Sequence, residues 1–301
     1  MPSLAAPPAP PRWKVVLILM LIATTFGSNH VAARFAFDHG ASVFTAALVR
    51  SLGTALALVV ALKATGVSLK VPRHQVFRAA VTGLLVASAS VFIYSAVARI
   101  PVGLALLTFN TFPFVFTLVT WLMDGRRPSG RTLGFMGLAL AGLSLALTFG
   151  GGASYPPPAV MATGVALAFA ASLSFGGVLY LSQRWLGAMD GRVRTLIMMS
   201  TTAIVVGVIG TLGDAFRLPV DSVGWTGLAL LTILYGSAFT ALFVVLPRYG
   251  MLDNAGVLNF EPVAVLAMGA VLLGQTITPV QMLGAGIVLV AMLGFASEGK
   301  R

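Results

Sequence analysis

Three side chains deep inside the long apolar stretches of this sequence are able to carry charge: His30, Arg50 and Glu261. The other acidic residues fall in polar connections or at the ends of apolar runs. An ionisable group at membrane depth is costly and marks function by default. Glu261 has three readings: it receives a substrate ammonium, it carries a proton, or it pairs with Arg50. That ion pair would serve either coupling or a purely structural lock. His30 suits proton sensing near neutral pH, and equally a plain hydrogen bond to a neighbouring helix. It lies in "TTFGSNHVAAR", where Thr25, Ser28 and Asn29 form a polar face at i, i+3 and i+4.

Two amides stand three residues before a proline, Asn110 with Pro113 and Asn259 with Pro262. Proline has no N–H and pushes away the carbonyl four residues back, so each site predicts a helix break. Freed backbone at membrane depth is tolerated only where protein or a water-filled cavity satisfies it. A kink that merely shapes packing is the plainer alternative. Phe114 shares a face with Asn110, while Tyr235, Phe239 and Phe243 make an i, i+4, i+8 stripe. Tyr94 and Tyr180 come late in their apolar runs. The candidate substrate wall is therefore Asn29, His30, Tyr94, Asn110, Phe114, Tyr180, Tyr235, Phe239 and Asn259, suited to an amphipathic guest. Packing aromatics are the competing reading for each ring.

Other chemistries lack their residues. The chain has no cysteine, no His-Glu-x-x-His, no paired intramembrane aspartates and no glycine-rich phosphate loop with lysine. Ser28 and His30 do not share a helix face. A membrane-embedded enzyme and an ATP-driven pump are thus unsupported, and no cofactor or metal is expected; a passive channel remains an alternative.

The elements that must position these residues follow from composition. Of 301 residues, 58% are hydrophobic and 9% charged, which excludes an ordinary soluble globule. Ten runs of about 20 apolar residues are marked at 14–37, 41–63, 75–97, 101–123, 130–149, 158–182, 193–213, 224–247, 253–273 and 278–296. The fold class is all-α and polytopic, preceded by a disordered Pro-rich tail over 1–13. With both termini placed in the cytoplasm, fifteen of the nineteen Lys and Arg fall on the inner side. Arg34, Arg99 and Arg217 fall outside. The net charge of +11 is then a topology signal and a contact with anionic lipid, not a nucleic-acid footprint.

A repeat organises the runs. Phe26-Gly27, Arg99, Asn110, Pro113, Gly125 and Gly137 recur as Phe175-Gly176, Arg248, Asn259, Pro262, Gly274 and Gly286, always 149 positions later. The chain reads as a five-helix unit over 14–150, a linker over 151–157 and a second unit over 158–301. Because five is odd, the second unit enters the membrane from the opposite side. Ten transmembrane helices as two inverted five-helix repeats are the construction of many secondary transporters. Trp13, Trp121, Trp185 and Trp225 read as interfacial anchors. Gly130, Gly134 and Gly137, with Gly284 and Gly286, read as sites of close helix packing.

These features, with the Phe-Gly steps and the "NFEPV" of the ninth run, resemble the EamA branch of the drug/metabolite transporters. Within it the chain is similar to bacterial inner-membrane amino-acid exporters of the YddG type. The resemblance implies a helical basket whose cavity is lined by runs 1, 3, 4, 6, 8 and 9, with runs 5 and 10 peripheral. It implies outward movement of amino acids, aromatic, hydrophobic or otherwise neutral, or of similar metabolites or drugs. The family's acidic residue at the end of the fourth helix of each repeat is replaced by Gln275 in the second copy. A symmetric pair of proton-carrying carboxylates is therefore not expected, and oligomeric state is open.

Overall fold

The computed structural model describes residues 12–125, 127–148, 156–249, 260–274 and 277–298. Each of the ten predicted runs contains helix, and no strand occurs among the described residues. The helices are α1 (Arg12–Asp38), α2 (Val43–Ala64), α3 (Arg73–Val97), α4 (Val102–Phe109), α5 (Phe112–Asp124) and α6 (Gly130–Thr148). The later ones are α7 (Pro158–Leu186), α8 (Gly191–Leu212), α9 (Ser222–Tyr249), α10 (Glu261–Leu273) and α11 (Pro279–Glu298). Among the described residues, seven spans are long and apolar enough to cross a membrane, with α4 and α5 together forming one of them. Shorter apolar segments lie in α6, α10 and α11.

The fourth run breaks where its proline predicts. α4 ends at Phe109, Asn110 and Thr111 form a turn, and α5 resumes with Pro113 in its first turn. Proline is tolerated there because the N–H it lacks would be unpaired in any case. α10 likewise carries Pro262 in its first turn. Each of these 13-residue helices ends in a left-handed glycine, Gly125 at φ 69° and Gly274 at φ 60°. At 1.5 Å per residue such a helix spans about 20 Å, less than a bilayer core.

The main packing pairs are α3 with α7, α1 with α9, and α6 with α11. α2 packs on α8 and α9, α3 on α8, and α10 on α1 and α4. α4 and α5 both pack on α7. Gly27 admits α10, because a Cβ there would meet Val265 and Glu261; Gly176 admits α5 at Val115 and Phe116. The α6–α11 crossing is made by Gly142 and Gly284, whose backbones lie against each other, and by Gly294 against Phe135. Gly130, Gly134, Gly137 and Gly286 have no neighbour where a Cβ would stand, which corrects their reading as packing sites. Those residues face away from the crossing, and small-residue spacing alone gives no rotation about the helix axis.

One end of the bundle is stitched. Ser42, the N-cap of α2, donates its N–H to the Arg217 carbonyl (3.0 Å) and accepts from the Arg217 N–H (3.3 Å). Thr45 donates to the same carbonyl, and Val220 N–H donates to the His39 carbonyl. His39 Nδ1 lies 2.5 Å from Asp221 Oδ2. The Gly224 N–H, and then the His39 ring, hold the Asp221 carboxyl below its ordinary range. At the opposite end the joins are made by side chains: Arg192 donates to Thr65 (3.1 Å), Tyr180 to Asp124 (2.9 Å), and Arg78 lies over Trp185.

Candidate functional site

Five helices bring a polar cluster into the apolar interior. α1 supplies Phe26, Asn29 and His30, α2 Arg50, α3 Ser90 and Tyr94, α9 Tyr235 and Phe239, and α10 Glu261. Arg50 is 2% exposed. Its Nη1 donates to the Tyr94 hydroxyl (3.1 Å) and its Nη2 to Ser90 Oγ (2.6 Å). The guanidinium lies 3.7 Å from the Tyr235 ring centroid and 4.8 Å from that of Tyr94. Two electron-rich faces thus share one cation, an attraction that strengthens on desolvation.

Tyr94 passes the network on. Its hydroxyl donates to Asn29 Oδ1 (2.9 Å), while the Asn29 amide donates to the Phe26 carbonyl. His30 meets Tyr94 edge-on at 5.8 Å between ring centres. Its Nε2 is 3.9 Å from Glu261 Oε1, a distance beyond a direct hydrogen bond. Phe26, Tyr235 and Phe239 close the other side, with the Tyr235 and Phe239 rings stacked 5.0 Å apart.

The expected Arg50–Glu261 ion pair does not form among the described residues. Arg50 is turned towards α3 and α9, and Glu261 faces α1. Arg50 also enters from α2, a helix outside the set that the family resemblance assigned to the cavity wall. Four buried polar atoms here have no hydrogen-bond partner: Arg50 Nε, Glu261 Oε1, His30 Nδ1 and Thr54 Oγ1. Thr54 is one turn beyond Arg50 on α2 and faces Gly236, next to Tyr235.

The remaining predicted residues lie elsewhere. Asn110 turns its amide back to the Leu106 carbonyl (2.8 Å) and so caps the broken end of α4. Thr111 bonds Ser172 of α7 (2.9 Å), and Phe109, Phe112 and Phe175 surround the break. Phe114 is buried in the main hydrophobic core, which also includes Phe109 and Tyr94. Phe175 packs against both apolar clusters of the molecule and so links the break to Tyr235 and Phe239. Tyr180 is spent on its bond to Asp124 and takes no part in the cluster. Asn259 lies outside the described residues, as do the side chains of Pro262 and Phe243.

Phe26, Ser90, Thr54 and the Thr111–Ser172 pair are residues that sequence reasoning missed. Phe26 carried a signal, since it belongs to the repeated Phe-Gly step. Separately, Ser28, Phe35, Leu230, Leu234, Met268 and Leu272 line a largely apolar cavity of about 420 Å³ between α1, α9 and α10. Ser28 Oγ contacts Met268 Sδ across it at 3.4 Å. Chemically, the cluster offers one cation, one carboxylate beside an imidazole, several hydroxyls and an aromatic wall. It suits holding a small polar-apolar molecule. No group of three metal-ligating side chains occurs among the described residues.

Comparison with known proteins gives a consistent assignment. The EamA-like transporter family matches residues 13–148 and again 162–297. The threonine/homoserine exporter RhtA of Escherichia coli strain K12 is 26% identical, covering 94% of this chain and 92% of its own. RhtA of Salmonella typhimurium strain LT2 is 25% identical over the same shares. A crystal structure 17% identical in sequence covers 96% of this chain and 99% of its own at a TM-score of 0.64, a likeness of fold. The two family matches account for nearly all the described helices, and the work they imply is carriage across a membrane, not catalysis. The chain belongs to the EamA-like transporter family, as a multi-pass integral membrane protein.

Proposed function

We propose that the protein is a secondary transporter that exports neutral amino acids, or closely related small metabolites, by alternating access. In this reading it sits in a bacterial inner membrane with both termini cytoplasmic, as the distribution of Lys and Arg suggests. Its halves are inverted copies that rock around the polar cluster.

One observation carries the reading: the main helix pairings are kept when each helix of the first half is exchanged for its counterpart in the second. α3 on α7 becomes α9 on α1, α3 on α8 becomes α9 on α2, and α10 on α1 becomes α4–α5 on α7. α2 on α8 and α6 on α11 map onto themselves. The two family matches start at 13 and 162, the same spacing that separates Asn110 from Asn259. The Phe-Gly step gains a role, since Gly27 and Gly176 each seat the short helix of the opposite half. The names of the RhtA relatives support amino acids as cargo. The rings of Phe26, Tyr235 and Phe239 favour neutral side chains with an apolar part. A multidrug or other metabolite exporter of the same family is the rival.

The test is uptake of labelled threonine, homoserine, leucine and phenylalanine by proteoliposomes, with and without a pH gradient. Saturable uptake of any of them supports the reading. A gradient requirement assigns proton carriage to Glu261 and His30. Leak-like uptake without saturation, or no uptake of any amino acid, overturns it.

A further inference from the structure

We propose that Arg50 is the anion-binding post of the transport site, taking the carboxylate of the cargo, so that the substrates are carboxylates and not merely amphipathic molecules. This rests on the transporter reading for its purpose, but on separate observations for its chemistry.

A guanidinium does not deprotonate in a protein, so burial leaves it charged. Buried charges are normally paired, because desolvation outweighs what neutral neighbours return. Arg50 has only neutral neighbours: the hydroxyls of Tyr94 and Ser90, and the ring faces of Tyr94 and Tyr235. The one carboxylate of the cluster, Glu261, stands by His30 instead. Arg50 is therefore a fixed positive charge with no protein anion in contact with it. Arg50 Nε is an unpartnered buried donor, and the Thr54 hydroxyl beside it on the same helix face is also unpartnered. A planar carboxylate accepting from the guanidinium edge and from Thr54 satisfies both groups, and charge-assisted bonds of this kind are short and strong.

The remaining groups give the direction of the cargo. Glu261 Oε1 and His30 Nδ1 are unpartnered as well, and they lie across Tyr94 and Asn29 from Arg50. A molecule whose carboxylate meets Arg50 presents an ammonium towards Glu261 and lays an apolar side chain along Phe26 and Phe239. A guanidinium on one side of the cluster and a carboxyl beside an imidazole on the other favour zwitterions over simple amines. The unpaired cation also explains why two tyrosines and a serine converge on it: they fix the orientation of the guanidinium before the cargo arrives.

The experiment compares acids with their amides on the purified protein in detergent. The thermal midpoint is followed with threonine, phenylalanine, threoninamide and phenylalaninamide, on the wild type and on Arg50→Gln and Arg50→Lys. The acids raise the wild-type midpoint, and the amides bind roughly 10- to 100-fold more weakly, because they leave the guanidinium unpaired. Arg50→Gln loses the distinction, and Arg50→Lys keeps part of it by charge without the planar fork. Equal stabilisation of the wild type by acid and amide overturns the proposal without needing either variant, as does no response to any acid, or Arg50→Gln that still prefers acids. Acid-selective stabilisation together with absent uptake in proteoliposomes would sink the export reading alone.

Discussion

Tyr94 is the joint of the polar cluster: its hydroxyl accepts from Arg50 and donates to Asn29, while its ring covers the guanidinium. Tyr94→Phe keeps the ring and strands two buried polar partners, which costs about 1–3 kcal/mol. The expected outcome is a lower thermal midpoint than that of Thr25→Ala, whose hydroxyl bonds only its own helix at an exposed position. An unchanged midpoint in Tyr94→Phe would mean that the network is dispensable. Much of this cluster is legible before any fold is known, since Asn29, His30, Arg50 and Glu261 are conspicuous in apolar runs. Who meets whom is not. The polar face of α1 at Thr25, Ser28 and Asn29 does not say which helix it meets, and Ser90 and Thr54 look like any membrane hydroxyl. The natural guess of pairing Arg50 with Glu261 fails because the two lie on different faces of the cluster, with Tyr94 and His30 between them.

Helices reveal themselves in sequence by punctuation more than by packing. Pro113 announces the gap between α4 and α5, and Gly125 and Gly274 close their helices in a conformation that only glycine adopts freely. The contact glycines are hidden, because Gly284 and Gly286 differ only by position on α11. A Cβ at Gly284 meets the backbone of Ala146 at 2.5 Å and of Gly142 at 2.6 Å, neither of which yields without moving α6. Gly284→Ala is expected to cost about 1–3 kcal/mol, and Gly286→Ala nothing measurable, in paired detergent melts. Equal effects would show that α6 and α11 do not cross at this point. The break itself is tied by Thr111 to Ser172, so Ser172→Ala removes one polar tie between the break and α7. That change is expected to raise hydrogen exchange at Asn110 and Thr111 above wild type.

At the scale of the whole molecule, the described fastenings at the two ends of the bundle differ in kind. The α1–α2 turn is bonded to the segment before α9 partly through backbone, whereas the described joins at the other end are side chain to side chain. Asp221 contributes with its carboxyl held below the ordinary value of 3.8, by the Gly224 N–H and by His39. A depressed carboxyl stabilises the fold above that ordinary value, and the benefit fades as pH falls through the lower folded value. Asp221→Asn is therefore expected to lower the thermal midpoint modestly at pH 7 and to flatten its further fall below about pH 4. An identical acid limb would remove Asp221 from the stitching. Since the chain has no cysteine, Ser42→Cys with Arg217→Cys makes a single staple across the same seam. Uptake is expected to stop on oxidation and to return with reductant; uptake that persists when oxidised would mean that this end never opens. That difference also bears on pharmacology. A compound entering from the end whose described joins are side-chain contacts meets bonds that part by rotamer changes, whereas one arriving from the stitched end must first wait for backbone bonds to part. Inhibitors of this protein should therefore be sided, and should act quickly from one face of the membrane and slowly, with use-dependence, from the other.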